Sequence, residues 1–208
     1  MSEARTSTAA VRRRTPARSR REVILEAAVN LFRERGFHST GIDDIGAVAG
    51  ISGPAVYRHF ANKDDILITA FARTWERMME GVAVARTMEP AEAVETLMRS
   101  HLTVCIEHRS LISLWTFEQR HLPPNYRREA RRQQDGYVGA WIGYLNALRP
   151  ELSREEAKLA VHAALGVYQC IIVFEYDVER EKLEAFVLNA VRATLFGDLS
   201  PPRKRTRR

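Results

Sequence analysis

The sequence predicts an all-α protein: a small three-helix head built on a helix-turn-helix, followed by a larger helical body. Three observations carry this. Apolar residues recur at three- and four-residue spacing through most of the chain, which is the period of one helix face. Glycine and proline fall between these periodic segments, where helices end and begin. No segment alternates apolar with polar residues between hairpin turns, and no internal repeat is present.

In the first element, Ile24, Leu25, Ala28, Leu31 and Phe32 share one face of a helix through REVILEAAVNLFRERG, and Gly36 ends it. IDDIGAVAG predicts a short helix, with Asp43 and Asp44 in the first turn, where the helix dipole favours carboxylates, and Gly50 as its break. SGPAVYRHF opens another, with Ser52 as N-cap and Pro54 in the first turn. So small a unit buries little surface alone. Ile24, Ala28, Phe32, Phe37, Ile45, Val48, Ala49, Val56 and Phe60 are therefore expected to face one shared centre. Beyond ANKDD the pattern lengthens into amphipathic helices, expected at about 63–86, 90–107, 109–119, 124–148, 153–176 and 179–196. Pro90, the Pro123-Pro124 pair and Pro150 punctuate them, and Ser153 with Glu156 forms a capping box.

The 208 residues include 32 Lys+Arg and 26 Asp+Glu, a net charge of +6, with 45% hydrophobic and 28% charged residues. That balance is ordinary for a globular protein and excludes wholesale disorder, collagen-like repeats and a disulfide scaffold. Only Cys105 and Cys170 are present, expected as reduced thiols. No stretch offers the roughly 20 uninterrupted apolar residues of a membrane span, and the N-terminus lacks the apolar core of a signal peptide. The expectation is a cytoplasmic protein with no membrane partner.

The positive charge is concentrated at the ends. Residues 1–21 hold seven Arg and one Glu, and residues 200–208 hold four Arg and one Lys, which leaves the segment between them at −5. Two readings fit: arms that grip a polyanion, or solvated tails that aid solubility. The expected organisation is a disordered basic arm at 1–19, a helix-turn-helix domain at 20–66, a helical domain at 67–199 and a basic tail at 200–208.

Two short helices joined by a tight glycine-containing turn and braced by a preceding helix suit a DNA major groove. Ser52, Gly53, Pro54, Ala55, Tyr57, Arg58 and His59 lie along the outer edge of the second short helix. The run ILEAAVNLFRERGFHSTGIDDIGAVAGISGPAVYRHFANKDDIL resembles the DNA-binding domain of TetR-family transcriptional regulators. Its segments AA..LF.E.GF..T, DI...AGIS and VYRHF.NKDDIL fall in order with the family's spacing. The resemblance implies a homodimer that binds a palindromic operator in double-stranded DNA, usually as a repressor, and releases it when a small molecule occupies the body.

Position by position, the resemblance makes Tyr57 and His59 contacts to operator phosphates, and Lys63, at the start of the fourth helix, a third. Thr40 and Ser52 match hydroxyls that cap helices and touch backbone. Gly53, Pro54 and Ala55 occupy positions that usually meet base edges. Gly41 and Gly46 depart from the family's hydroxyl residue and Ala, and Gly46 within a short helix is expected to cost about 1 kcal/mol relative to Ala. Asp43 places a carboxylate near phosphate, which is unhelpful. Gly53-Pro54-Ala55 has no long donor, so Arg58 is the candidate for bidentate base reading, and packing of Pro54 and Ala55 on thymine methyls is the weaker alternative. Residues 22–66 carry four basic against seven acidic side chains, so the head alone gains little from counterion release. Arg12, Arg13, Arg14, Arg18, Arg20 and Arg21 are therefore expected to supply phosphate or minor-groove contacts.

The resemblance makes the body a ligand-binding and dimerisation domain. Most of its large apolar side chains are core, and the functional reading is an apolar pocket between helices. Trp115, Phe117, Trp141 and Tyr144 are the expected walls, since two helices flank the pocket in the resembling family. Trp75, Met78, Met79, His101, Cys105 and Phe174 are further candidates. A small hydrophobic effector, acyl or aromatic, follows. Ala160, Ala163, Ala164 and Val167, with Leu183, Phe186, Val187, Ala190 and Val191, are expected at a dimer interface. Packing of these residues within the body is the alternative.

His101, Cys105 and His108 share one helix face and have Zn²⁺-ligand chemistry, so a helical metal-binding enzyme or metal store is the competing reading. Glu118 and His121 form a single Glu-x-x-His, which a di-iron bundle needs twice. No Gly-rich phosphate loop, nucleophile elbow or Cys-His signature occurs, so neither catalysis nor a cofactor or bound metal is expected. A third reading keeps the fold and makes the body a dimeriser without an effector.

Overall fold

A computed structural model describes residues 18–198. These form helices α1 (Arg20–Arg35), α2 (Ile42–Ala49), α3 (Gly53–Val56), α4 (Lys63–Ala85), α5 (Pro90–Glu107) and α6 (Arg109–Glu118). After a 3₁₀ turn at Gln119–His121 come α7 (Pro124–Leu148), α8 (Arg154–Val167), α9 (Gln169–Val173) and α10 (Arg180–Phe196). No strand occurs among the described residues.

The helix ends follow from local chemistry. Ser19 and Glu22 close a capping box at the start of α1, as do Ser153 and Glu156 at α8, so each satisfies orphan N–H groups of the first turn. Asn62 caps α4 by accepting from Asp65 N at 2.8 Å. Gly50 ends α2 in the left-handed region, at φ 69°, where a Cβ is strained.

Two hydrophobic clusters result. One gathers Ile24, Phe32, Phe37, Ile45, Val56 and Phe60 with Ile66, Leu67 and Phe71 of α4, and takes in Leu114 of α6 and Leu122. The other is built on α4, α5, α7, α8 and α10 around Leu97, Met98, Trp141, Leu145 and Tyr168. Helices α4 and α6 supply side chains to both.

Three expectations change. Val48 is exposed, not part of the head's core. The helix expected at 153–176 breaks at Tyr168, whose ring is fully buried and whose hydroxyl donates to Met98 O at 2.9 Å, and it ends at Val173. Arg154–Val173 is nevertheless long and apolar enough, by length and composition, to cross a membrane, with 39% of its most apolar window buried. Buried Ala157, Ala160, Val161 and Ala164 account for one face of that apolar stretch, and exposed Leu159 lies on another.

Candidate nucleic-acid interface and ligand cavity

In the head, the α2–α3 turn brings backbone against backbone at Gly46, where a Cβ would lie 2.9 Å from Gly53 N and Ile51 O. The close approach holds α3 across α2. Its outer edge presents Ser52, Pro54, Tyr57 and Arg58 exposed, with Ala55 and His59 half-buried. Arg58 has no side-chain partner among the described residues, so its guanidinium is available. Ser52 occupies the N-cap position of α3 but makes no side-chain cap bond.

Other expected contacts are committed elsewhere. Gly53 is buried, and a side chain there would collide with the Asp43 carboxylate, so it presents no surface to a base. Thr40 is 1% exposed, and its hydroxyl donates to Gly36 O at 2.9 Å and Leu31 O at 3.3 Å, closing the end of α1. Lys63 Nζ donates to Phe37 O at 2.7 Å and Thr40 O at 2.9 Å and lies over the Phe37 ring. A lysine satisfying carbonyls in this way braces the α1–α2 loop. Arg21 donates to Thr69 Oγ1 at 3.2 Å and stacks on Phe60, and Arg20 reaches Ala49 O at 3.4 Å, so both tie α1 to its neighbours. Arg18 pairs with Glu26 in an exposed ion pair. Arg12, Arg13 and Arg14 lie outside the described residues.

The body encloses a cavity of about 120 Å³ between α4, α5, α6, α7 and the α8–α9 junction. Of the expected lining residues, Trp75, Met78, His101 and Trp115 face it. Six do not. Cys105 and Trp141 are sealed in the core, Met79 and Tyr144 pack against that core, and Phe117 and Phe174 are exposed on the surface. In their place stand Tyr137 and Gln134 of α7, Ile112 and Thr116 of α6, and Gln169 of α9. Tyr137 and Gln134 lie about one and two turns before Trp141, so the α7 stripe was right and its position along the helix was not. Trp75 and Trp115 meet edge-on in the cavity wall, with ring centroids 5.4 Å apart.

Among the described residues, no charged side chain lines this cavity. His101 Nδ1 and the Tyr137 hydroxyl are 2.9 Å apart, and burial shapes both. It pulls His101 down to about 3, so the ring is neutral, and pushes the Tyr137 phenol well above its ordinary value, so its proton stays. The site therefore offers neutral donors and acceptors among aromatic walls. Trp75 Nε1 is buried with no acceptor among the described residues.

The metal reading finds no support: no group of three or more His, Cys, Asp or Glu able to hold an ion exists among the described residues. Buried Cys105, its thiol pushed up to about 12 by burial, stays protonated, and His108 caps the end of α5 instead of facing the cavity. Glu118 instead pairs with His121 at 3.4 Å, and His121 Nδ1 meets His38 Nε2 at 2.7 Å, a polar link from the 3₁₀ turn to the head.

On the far side of the body, α8 packs on α10. Ala160, Ala164, Val187 and Val191 fill that seam and are buried within this chain, so they are removed from the expected interface. Val167, Leu183 and Ala190 are half-buried, and Ala163 and Phe186 are exposed. Leu159, absent from the sequence expectation, is 70% exposed and Phe186 is 71% exposed, an apolar pair left facing outward.

A helix-turn-helix head joined through shared helices to a helical domain with an uncharged cavity defines a class of bacterial regulators. The family profile described as "Bacterial regulatory proteins, tetR family" matches residues 24–70, and "Tetracyclin repressor-like, C-terminal domain" matches residues 87–172. The chain belongs to the TetR family. It is 36% identical over 72 residues to the transcriptional activator FasR of Mycolicibacterium smegmatis, a match covering 35% of this chain and 33% of that protein. It is 27% identical over 126 residues to the fatty acid metabolism regulator protein of Bacillus subtilis, covering 59% of this chain and 64% of that one. The matches thus span between a third and just under two thirds of these relatives. AibR, solved with isovaleryl coenzyme A and operator DNA, shares the fold at a TM-score of 0.73 and 17% identity, covering 86% of this chain and 98% of AibR.

Proposed function

We propose that this protein is a ligand-responsive, DNA-binding transcriptional regulator of the cytoplasm. In this reading a head at residues 20–66 binds a palindromic operator, and the domain at 67–199 dimerises and takes a small hydrophobic effector in the α4–α7 cavity. Repression with release by the effector is the proposed direction. The observation that carries the reading is the unpartnered outer edge of α3, with Tyr57, Arg58 and His59, on a head that shares α4 and α6 with the cavity. Pro54 and Ala55 supply apolar contact to bases, and Arg58 supplies the long donor. Ser52, Tyr57 and His59 contact phosphates. Lys63 and Thr40 act by shaping the α1–α2 loop. Arg20 and Arg21 position α1, which leaves Arg18 with Arg12, Arg13 and Arg14 as the proposed arm contacts. The name of one relative, a fatty acid metabolism regulator, and that of a neighbour holding an acyl coenzyme A support an acyl effector.

Binding-site selection from random duplexes, followed by titration of the selected site, tests this. Arg58→Ala is expected to lose about 5–150-fold in affinity for that site and to relax preference at one base pair, the worth of one bidentate contact. Removing residues 1–18 is expected to weaken binding and flatten its salt dependence. Selection that enriches no sequence overturns the proposal.

A further inference from the structure

The body is acidic overall, yet the segment from Gln119 to Arg132 holds five Arg and a single Glu. Three of these arginines, Arg120, Arg127 and Arg131, line a cleft of about 280 Å³ together with Gln134. Gln134 also lines the uncharged cavity, so the cationic cleft and the aromatic chamber share a wall residue. Arg127 and Arg131 lie at i and i+4 on one face of α7, and neither has a side-chain partner among the described residues. Glu129, the one acidic residue of the segment, is engaged by Arg132. No acidic residue occupies the first turn of α7, where the helix dipole would favour one.

This arrangement weakens the helix that bears it. Like charges at i and i+4 repel, and cations near a helix N-terminus oppose its dipole. A guanidinium pair presented in this way suits the planar, bidentate recognition of phosphate. The adjoining chamber has the opposite character: Trp75, Trp115, Tyr137 and Met78, with no charge, in a volume close to that of an engineered cavity that takes a benzene ring.

Resting on the reading of this cavity as the effector site, we propose that the effector is an amphiphile. A short acyl group or single ring enters the chamber, and a phosphate-bearing group joined to it lies on Arg127 and Arg131, with Arg120 across the cleft. The 120 Å³ volume suits a short acyl group or a single ring, and the uncharged walls disfavour a free carboxylate in the chamber.

Titration calorimetry on the full chain, with four probes, tests this. The probes are butyryl coenzyme A, phenyl phosphate, the phosphate-free thioester S-butyryl-N-acetylcysteamine, and free coenzyme A. Butyryl coenzyme A or phenyl phosphate is expected to bind at least about tenfold more tightly than the phosphate-free thioester, the worth of one charge-assisted contact. Which of the two binds distinguishes a nucleotide-borne phosphate from a simple phosphate ester. Free coenzyme A is expected to bind more weakly than its butyryl thioester. The double variant Arg127→Ala/Arg131→Ala is expected to lose that tenfold preference, leave affinity for the phosphate-free thioester unchanged, and still bind the operator. Equal affinity of wild type and variant for both phosphate-bearing probes overturns the proposal. So does a variant that loses DNA binding with ligand affinities intact, which would give these arginines to nucleic acid. A chain that binds no DNA but shows the expected ligand pattern fails as a regulator and keeps this site.

Discussion

A methyl group on Gly46 would sit 2.9 Å from two backbone atoms of the following turn and 3.0 Å from a third, Ser52 C. Helix propensity alone makes this glycine a cost of about 1 kcal/mol relative to Ala. The contact reverses the sign, because backbone cannot move aside as a flexible side chain does. Gly46→Ala is therefore expected to destabilise the head by about 1–3 kcal/mol, read as a lower urea midpoint at unchanged slope. Propensity was legible in the sequence; the approach of Gly53 and Ile51 was not, since it depends on how α3 crosses α2. Thr40 and Lys63 teach the same lesson. Their residue types suit phosphate contact, but carbonyls left open at the end of α1 and in the loop after it claim both side chains first.

Helix α6 shows what the element scale adds. Its ten residues read as one amphipathic helix, and the structure divides that face between two cores. Leu114 enters the head's cluster, Ile112 enters the body's, and Trp115 and Thr116 line the cavity between. A ligand pressing on this helix presses on the head's core through the same rigid element. Leu114→Ala is expected to cost about 2–5 kcal/mol, the usual range for a buried Leu, in thermal or urea unfolding. It is also expected to weaken effector binding, because Trp115 sits on the same turn. The α7 stripe was found in the sequence one to two turns too far along, since periodicity identifies a face and not the depth at which a neighbour leaves a gap.

Over the whole molecule, the charge and the apolar surface sort into separate faces. The head turns α3 outward, the arginines of α7 gather beside the cavity, and α8 with α10 leaves Leu159 and Phe186 bare. In the proposed dimer these two exposed side chains belong to the subunit interface. The double variant Leu159→Glu/Phe186→Glu is expected to sediment as a monomer where the parent sediments as a dimer, with helicity unchanged by circular dichroism. Four of the nine residues expected at the interface are spent within the chain: alanines and valines repeating along a helix suit an internal seam or a partner equally, and a stripe cannot say which.

By itself the sequence determined the helical class, nearly every helix boundary and the identity of the head. The class and the boundaries rest on local chemistry: apolar period, capping boxes, and glycines and prolines at fixed positions; the identity of the head rests on its resemblance to the TetR-family DNA-binding domain. The tertiary structure alone decided which polar side chains remain free and where the cavity lies. It also decided that three arginines of an acidic body line a cleft beside that cavity. Each of these depends on what a distant segment brings within a few ångströms, and no local pattern contains that distance.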